Sequence, residues 1–180
     1  ISQTVAARCR RFYHRDSSVI YPPVDTTFFA SDPSKCTSPQ PGYFLVVSRL
    51  VPYKKVDLAI KACNQTGDRL IIVGTGSETH SLKKLAGPNI SFVGQVSDSK
   101  LNCLYHHAQA LLFPQEEEFG LVALEAQAAG LPVVAYSGGS GKEIVIHTQT
   151  GVLFHRQTLN LPNSQLSVIR ICLPRQIPNW

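Results

Sequence analysis

Four short stretches of this 180-residue chain combine residue types and spacings suited to a phosphorylated ligand. In the first, Ser48-Arg49-Leu50-Val51-Pro52-Tyr53-Lys54-Lys55, Arg49 can offer a planar fork to phosphate oxygens and Lys54 a point charge. Together they would stabilise a diphosphate that gains negative charge as its bond to another group breaks. A lone Arg or Lys is more often half of a surface salt bridge, and only convergence with the other stretches lowers that expectation. The second, Gly74-Thr75-Gly76, lacks the third glycine of the dinucleotide fingerprint and fits a tight strand-to-helix turn equally well. The third is Q-E-E-E-F-G-L-V-A-L-E-A-Q-A-A-G at 115–130. Its three consecutive carboxylates suit the positive end of a helix dipole. Phe119-Gly120-Leu121 would let a backbone approach closely and leave N–H groups free for an anion. Glu125 lies about two turns beyond Glu117, roughly 9 Å or more along the axis of a continuous helix. That is too wide for two carboxylates sharing one atom, and wide enough to hold hydroxyls at opposite ends of a diphosphate, a sugar at one and a ribose at the other. The fourth is the glycine-rich Ser137 to Gly141.

The elements that must position these stretches follow from periodicity. Tyr43 to Ser48 is a continuous apolar run of the kind a strand buried on both faces shows, and 57–63 has helical spacing. Arg69 to Val73 predicts a second strand, 77–86 a helix, and Ile90 to Val93 a third strand. Asp98 is placed to cap a helix carrying Leu101, Leu104, Tyr105 and Ala108 on one face. Ala110 to Phe113 reads as a strand, 119–129 as a helix stopped by Gly130, and Pro132 to Ala135 as a fifth strand. Such alternation gives an α/β fold, a Rossmann-like open parallel sheet with helices on both faces. Ligands of such folds bind beyond the carboxyl ends of the strands, where all four stretches fall.

Outside this unit, 3–14 reads as a short helix and Ser18 to Tyr21 as a short strand ended by Pro22-Pro23. The Thr, Ser, Asp and Pro content up to Gly42 is linker chemistry. The expected organisation is a remnant of another domain at 1–22, a linker at 23–41, the ligand-binding domain at 42–156 and an irregular or aberrant tail at 157–180. With no methionine in the chain, an excised fragment or degraded copy is the expectation.

Composition narrows the class further. With 43% apolar and 16% charged residues, the chain has a globular make-up, and no run reaches the roughly 18 apolar residues of a membrane span. The first residues, I-S-Q-T-V-A-A-R, lack the apolar core of a secretory signal. Net charge is +5, and the only tight basic cluster is Arg8, Arg10, Arg11 and Arg15. Without interleaved aromatics on a basic face, nucleic acid is not the expected partner; a solvated helix face, an anionic membrane surface or a phosphate-bearing substrate remain. Five cysteines, at 9, 36, 63, 103 and 172, stand without metal-ligand spacing and read as reduced thiols, Cys63 and Cys103 buried on helix faces.

The segment from Glu117 to Glu125 resembles the E-x7-E motif of the retaining glycosyltransferases of family 4, whose GT-B fold sets two Rossmann-like domains across a cleft. The likeness extends over about residues 1–155. S-R-L-V-P-Y-K-K-V-D at 48–57 resembles the family's diphosphate loop, G-T-G at 74–76 its glycine turn, and G-L-P-V-V-A at 130–135 the strand after the motif helix. S-Q-T-V-A-A-R and V-I-Y-P-P-V-D are similar to the end of the acceptor domain and the start of the linker. The resemblance implies the donor-binding half of a hexosyltransferase. It implies that Arg49 and Lys54 bind the diphosphate, Glu117 contacts the transferred sugar and Glu125 holds the ribose. Ser48, Gly74, Gly76, Phe119, Gly120 and Leu121 complete the donor site. It further implies no metal and no cofactor, and a glycan or lipid-linked acceptor bound through the missing domain; the reduced thiols point to a cytoplasmic setting, and the basic cluster allows peripheral contact at the inner membrane face. The wording E-E-E-F-G with V-P-Y-K is similar to a mannosyltransferase-like subgroup, which makes GDP-mannose the first donor to test. Lys55 stands where a glycine is common, and 137–143 is richer in glycine than the family's loop. The rival expectation is a truncated product or interaction module that keeps the fold without binding a donor, and the third a nucleotide-sugar epimerase on a similar sheet.

Overall fold

Along the central strands, successive side chains enter two different cores. Tyr43 and Leu45 of one strand, Leu111 and Phe113 of another and Val133 and Ala135 of a third join one cluster. Their neighbours Phe44 and Val46, Ala110 and Leu112, and Val134 join a second. Both faces are therefore covered, which is why these strands read as unbroken apolar runs rather than alternating ones.

A computed structural model describes residues 1–31 and 41–157. In chain order the elements are α1 (Gln3–Tyr13), α2 (Thr26–Ala30), β1 (Tyr43–Val47), a 3-10 turn (Pro52–Lys54), α3 (Val56–Thr66), β2 (Leu70–Val73) and α4 (Thr79–Leu85). They continue as β3 (Ile90–Gly94), α5 (Asp98–His107), β4 (Ala108–Phe113), α6 (Leu121–Ala128), β5 (Val133–Tyr136), α7 (Gly141–Ile144) and β6 (Gly151–Phe154). Among the described residues the strands form one six-stranded sheet in the order β3-β2-β1-β4-β5-β6. Every pairing is parallel, with Val46 opposite Ile72 and Leu45 opposite Leu111 at its centre. Phe29 of α2, Leu104 and Tyr105 of α5, Ala123 and Ala126 of α6 and Ile144 of α7 cover one face. Ala59, Ile60 and Cys63 of α3 and Leu82 of α4 cover the other.

Several local expectations are corrected. Residues 18–21 form no strand: Ile20 is 81% exposed, and its apolarity finds no neighbouring strand to pair with. Within the stretch that reads as linker, Asp25 accepts from the Phe28 amide at 2.9 Å and starts α2, whose Phe29 is buried. Ser97, not Asp98, caps α5 through its hydroxyl. A sixth strand follows the five expected. Cys9 and Cys63 are free thiols, whereas Cys103, fully buried on α5, is disulfide-bonded, so the reduced state expected of every cysteine does not extend to it. Burial pushes the Cys63 thiol up to about 12, with Asp68 adding to the shift, which keeps it protonated and inert. No helix of the described residues is long and apolar enough to cross a membrane. The irregular tail expected from 157 onward lies, past its first residue, outside the described residues, as does 32–40 of the linker.

Candidate functional site

The strand order places the site. From β1 the chain proceeds outward to β2 and β3, while β4 leads to β5 and β6 on the opposite side. The loops leaving the carboxyl ends of β1 and β4 therefore diverge, and the crevice between them is where an open parallel sheet receives its ligand. Those loops are the Arg49–Lys54 stretch and the stretch from Pro114 to Gly120.

The loop after β1 is pinned to the glycine turn. Ser48 donates its amide to Val73 O at 3.1 Å and Leu50 to Thr75 O at 3.0 Å, and the Leu50 side chain is fully buried. A Cβ on Gly74 would stand 1.9 Å from Ser48 O, and one on Gly76 would stand 2.2 Å from Leu50 O. Gly74 also has φ +117°, which only glycine takes without strain. In this position the turn's glycines serve close backbone packing that fixes the Arg49 loop. Arg49 is exposed and makes no ion pair or side-chain hydrogen bond among the described residues. Lys54 closes the 3-10 turn, and Lys55 then takes the left-handed region at φ +53° before α3 begins. That conformation explains why glycine suits the position; a non-glycine residue there costs about 1–2 kcal/mol.

The loop after β4 meets it across the crevice. Lys54 Nζ forms an ion pair with Glu117 Oε2, with side chains only 13% and 23% exposed. Ser140, just ahead of α7, donates its amide to Glu117 O and its hydroxyl to Phe119 O, both at 2.8 Å. Gly139 lies against the Glu117 backbone so tightly that a Cβ would come within 2.3 Å of its carbonyl. On the outer side, Arg8 of α1 bonds Glu116 at 2.8 Å and Glu118 at 3.3 Å. Phe119 is buried beneath Tyr21, ring centroids 6.1 Å apart. Gly120, left-handed at φ +86°, is the N-cap of α6, and no side chain caps that helix. The three glutamates accordingly sit in the loop, ahead of the helix, and the separation inferred from an unbroken helix does not apply.

Glu125 is on the second turn of α6, half-buried, where it accepts a 3.0 Å hydrogen bond from the Tyr105 hydroxyl. Burial holds its carboxyl above the ordinary value; the Tyr105 bond pulls it back down, and Asp98 raises it again. Burial and the neighbouring Glu125 push the Tyr105 hydroxyl strongly upward, so it remains a donor.

Lys54 and Glu117 are thus in contact, and Ser48, Arg49, Gly74 and Gly76 share one braced loop pair. Phe119, Gly120 and Leu121 lead from Glu117 into α6, and Glu125 is one turn further along that helix, hydrogen-bonded to Tyr105 and making no hydrogen bond or ion pair with Lys54 or Glu117 among the described residues. Sequence reasoning missed four contributors. Ser140 stood in a loop singled out for glycine alone, Tyr105 looked like core, Tyr21 lay in a supposed strand and Arg8 in a supposed basic patch. That patch is dispersed: Arg8 faces the acidic loop, Arg10 pairs with Asp16, and Arg11 lies over Phe12.

Residues 31–160 match the family described as glycosyl transferases group 1. The chain is 34% identical over 159 residues to a GDP-mannose-dependent alpha-(1-6)-phosphatidylinositol monomannoside mannosyltransferase of Mycobacterium tuberculosis, an alignment covering 73% of this chain and 41% of that protein. It is 39% identical over 123 residues to a glycogen synthase of the same species, covering 62% of this chain and 30% of the other. Among solved structures, sucrose-phosphate synthase from Thermosynechococcus elongatus superposes with a TM-score of 0.80 at 24% identity, over 97% of this chain and 48% of its own. HepE of Anabaena, in complex with UDP and glucose, gives 0.73 at 24% identity over 88% and 47%. The chain thus spans less than half the length of these relatives. It belongs to the group 1 glycosyl transferases.

Proposed function

We propose that this group 1 glycosyl transferase chain binds a nucleoside diphosphate sugar in the crevice between β1 and β4, as the donor half of a retaining hexosyltransferase. The observation that carries the reading is the Lys54–Glu117 ion pair, which joins the two loops across the crevice. An arriving diphosphate competes for the Lys54 ammonium, and Arg49, exposed and unpaired among the described residues, supplies a second cation. Release from Lys54 frees Glu117 to accept hydrogen bonds from sugar hydroxyls. Glu125 accepts from the ribose, and the uncapped amides at the start of α6 face phosphate or sugar oxygens.

In this reading the bond between the anomeric carbon and the β-phosphate oxygen breaks, and its electron pair stays on the phosphate. The acceptor hydroxyl attacks from the same face and passes its proton to that phosphate oxygen, so configuration is kept. The positive charge that stabilises the departing diphosphate comes from Arg49, Lys54 and the helix start. Mannose from GDP-mannose is the preferred donor, supported by the mycobacterial mannosyltransferase among its relatives. The acceptor is a glycan or lipid-linked sugar. Transfer by this chain alone is inefficient, because acceptor positioning and water exclusion need a second domain.

Calorimetry with GDP, UDP, ADP and GDP-mannose tests the reading. Binding of one diphosphate family is expected, with Arg49→Ala weakening diphosphates far more than the nucleoside. Glu117→Ala is expected to weaken the sugar nucleotide while sparing the free nucleotide. No binding of any nucleotide would overturn the reading.

A further inference from the structure

We propose that Arg8 is a positioning residue of the donor loop, holding Glu116 and Glu118 aside so that Glu117 alone meets Lys54. The proposal rests on the donor-site reading above and adds to it a residue more than a hundred positions away in sequence. Three consecutive carboxylates repel one another, and any of them could in principle pair with a single ammonium. The guanidinium of Arg8 separates the choices: Nη2 reaches Glu116 at 2.8 Å and Nη1 reaches Glu118 at 3.3 Å, the two residues flanking Glu117. It also neutralises charge that would otherwise stand beside an incoming diphosphate.

Arg8 can do this because α1 is fixed in place from the same part of the molecule. Glu143 accepts from the Gln3 amide, the Thr4 amide and the Thr4 hydroxyl, each at 2.8 Å. Burial would raise the Glu143 carboxyl, but these bonds outweigh it and hold it below its ordinary value. Glu143 is on α7, three residues after Ser140, which grips Glu117 and Phe119. The donor loop, the 139–143 segment and α1 therefore close a circuit of contacts, and Arg8 completes it. Its pairs are about half exposed and contribute little to folding stability, so the effect is expected in binding.

Arg8→Ala is expected to weaken GDP or UDP, whichever the chain binds, about threefold to fivefold at low salt, with the loss shrinking as salt rises and the melting temperature hardly moving. Adding Glu116→Gln and Glu118→Gln to Arg8→Ala is expected to restore the affinity, since the competing carboxylates are gone. A second readout needs no nucleotide. The NMR signal of the Lys54 ammonium, which reports its pairing with Glu117, is expected to change in Arg8→Ala and return in the triple variant. An unchanged Lys54 signal in Arg8→Ala, or a triple variant no better than the single one, would overturn the proposal. A chain that binds no nucleotide but shows the Lys54 change and its reversal would instead count against the donor-site reading alone.

Discussion

The loop at 114–120 and the helix that follows it, α6, carry one glutamate each for the same proposed ligand, yet they are held by different forces. Charge and hydrogen bonds hold the loop: Lys54 and Arg8 from two sides, Ser140 from beneath. Apolar packing holds the helix, with Ala123 and Ala126 buried against the sheet, and its Glu125 tied to a buried tyrosine. In the proposed reading, the carboxylate that exchanges partners when a ligand arrives sits where electrostatics dominate, and the one that stays put sits on a packed helix. The loop should therefore respond to salt and charge changes, and the helix to volume changes and pH.

Lys54→Ala probes the loop most severely. It leaves Glu117 partly buried without its partner, with an expected loss of about 1–3 kcal/mol in urea denaturation and about tenfold to a hundredfold in diphosphate affinity. Ala126→Leu probes the helix. Its side chain is fully buried, so overpacking is expected to cost about 1–3 kcal/mol of stability with no change in the salt dependence of binding. An Ala126→Leu protein that loses salt sensitivity would erase the distinction between the two regions.

Glu125→Gln separates function from stability on the helix. A carboxyl held above its ordinary value gives a folded protein that binds the proton more tightly than the unfolded chain. Its contribution to stability is therefore fullest below the ordinary carboxylate range and is lost as pH rises through the raised folded value. Glutamine cannot titrate, so the variant is expected to show a flatter melting profile across that window and a higher melting temperature above it, while nucleotide affinity falls about tenfold. A variant whose melting profile parallels the parent's at every pH would contradict this. The smallest effect is expected of Glu116→Gln alone, within about 0.5 kcal/mol of the parent in stability, because its pair with Arg8 is exposed.

The contrast also explains what the sequence could disclose. The central strands were legible because burial on both faces demands unbroken apolar runs, as in Tyr43 to Val47. β6 was not, since Gly151-Val152-Leu153-Phe154 opens on a glycine and its last two residues are only partly buried, so it lacks the unbroken apolar run of the central strands. Ser18 to Tyr21 has the local character of a strand without a partner to pair with, which no local pattern can reveal. The candidate site was legible only as a set of loops on one rim, because the fold class puts strand ends together. Its wiring was not: Lys54 and Glu117 are 63 positions apart, and Arg8 and Glu116 are 108 apart, so only the folded chain introduces them. Nor did the E-x7-E spacing betray that Gly120 delays the helix and leaves Glu117 in the loop.

The most direct test of the central claim is a map of backbone amide NMR shifts during titration with GDP and UDP. The perturbed amides are expected to cluster at 48–55, 74–76, 117–125 and 139–140, around the β1/β4 crevice. Shifts confined to the β3 or β6 edge of the sheet, or none with either nucleotide, would contradict it.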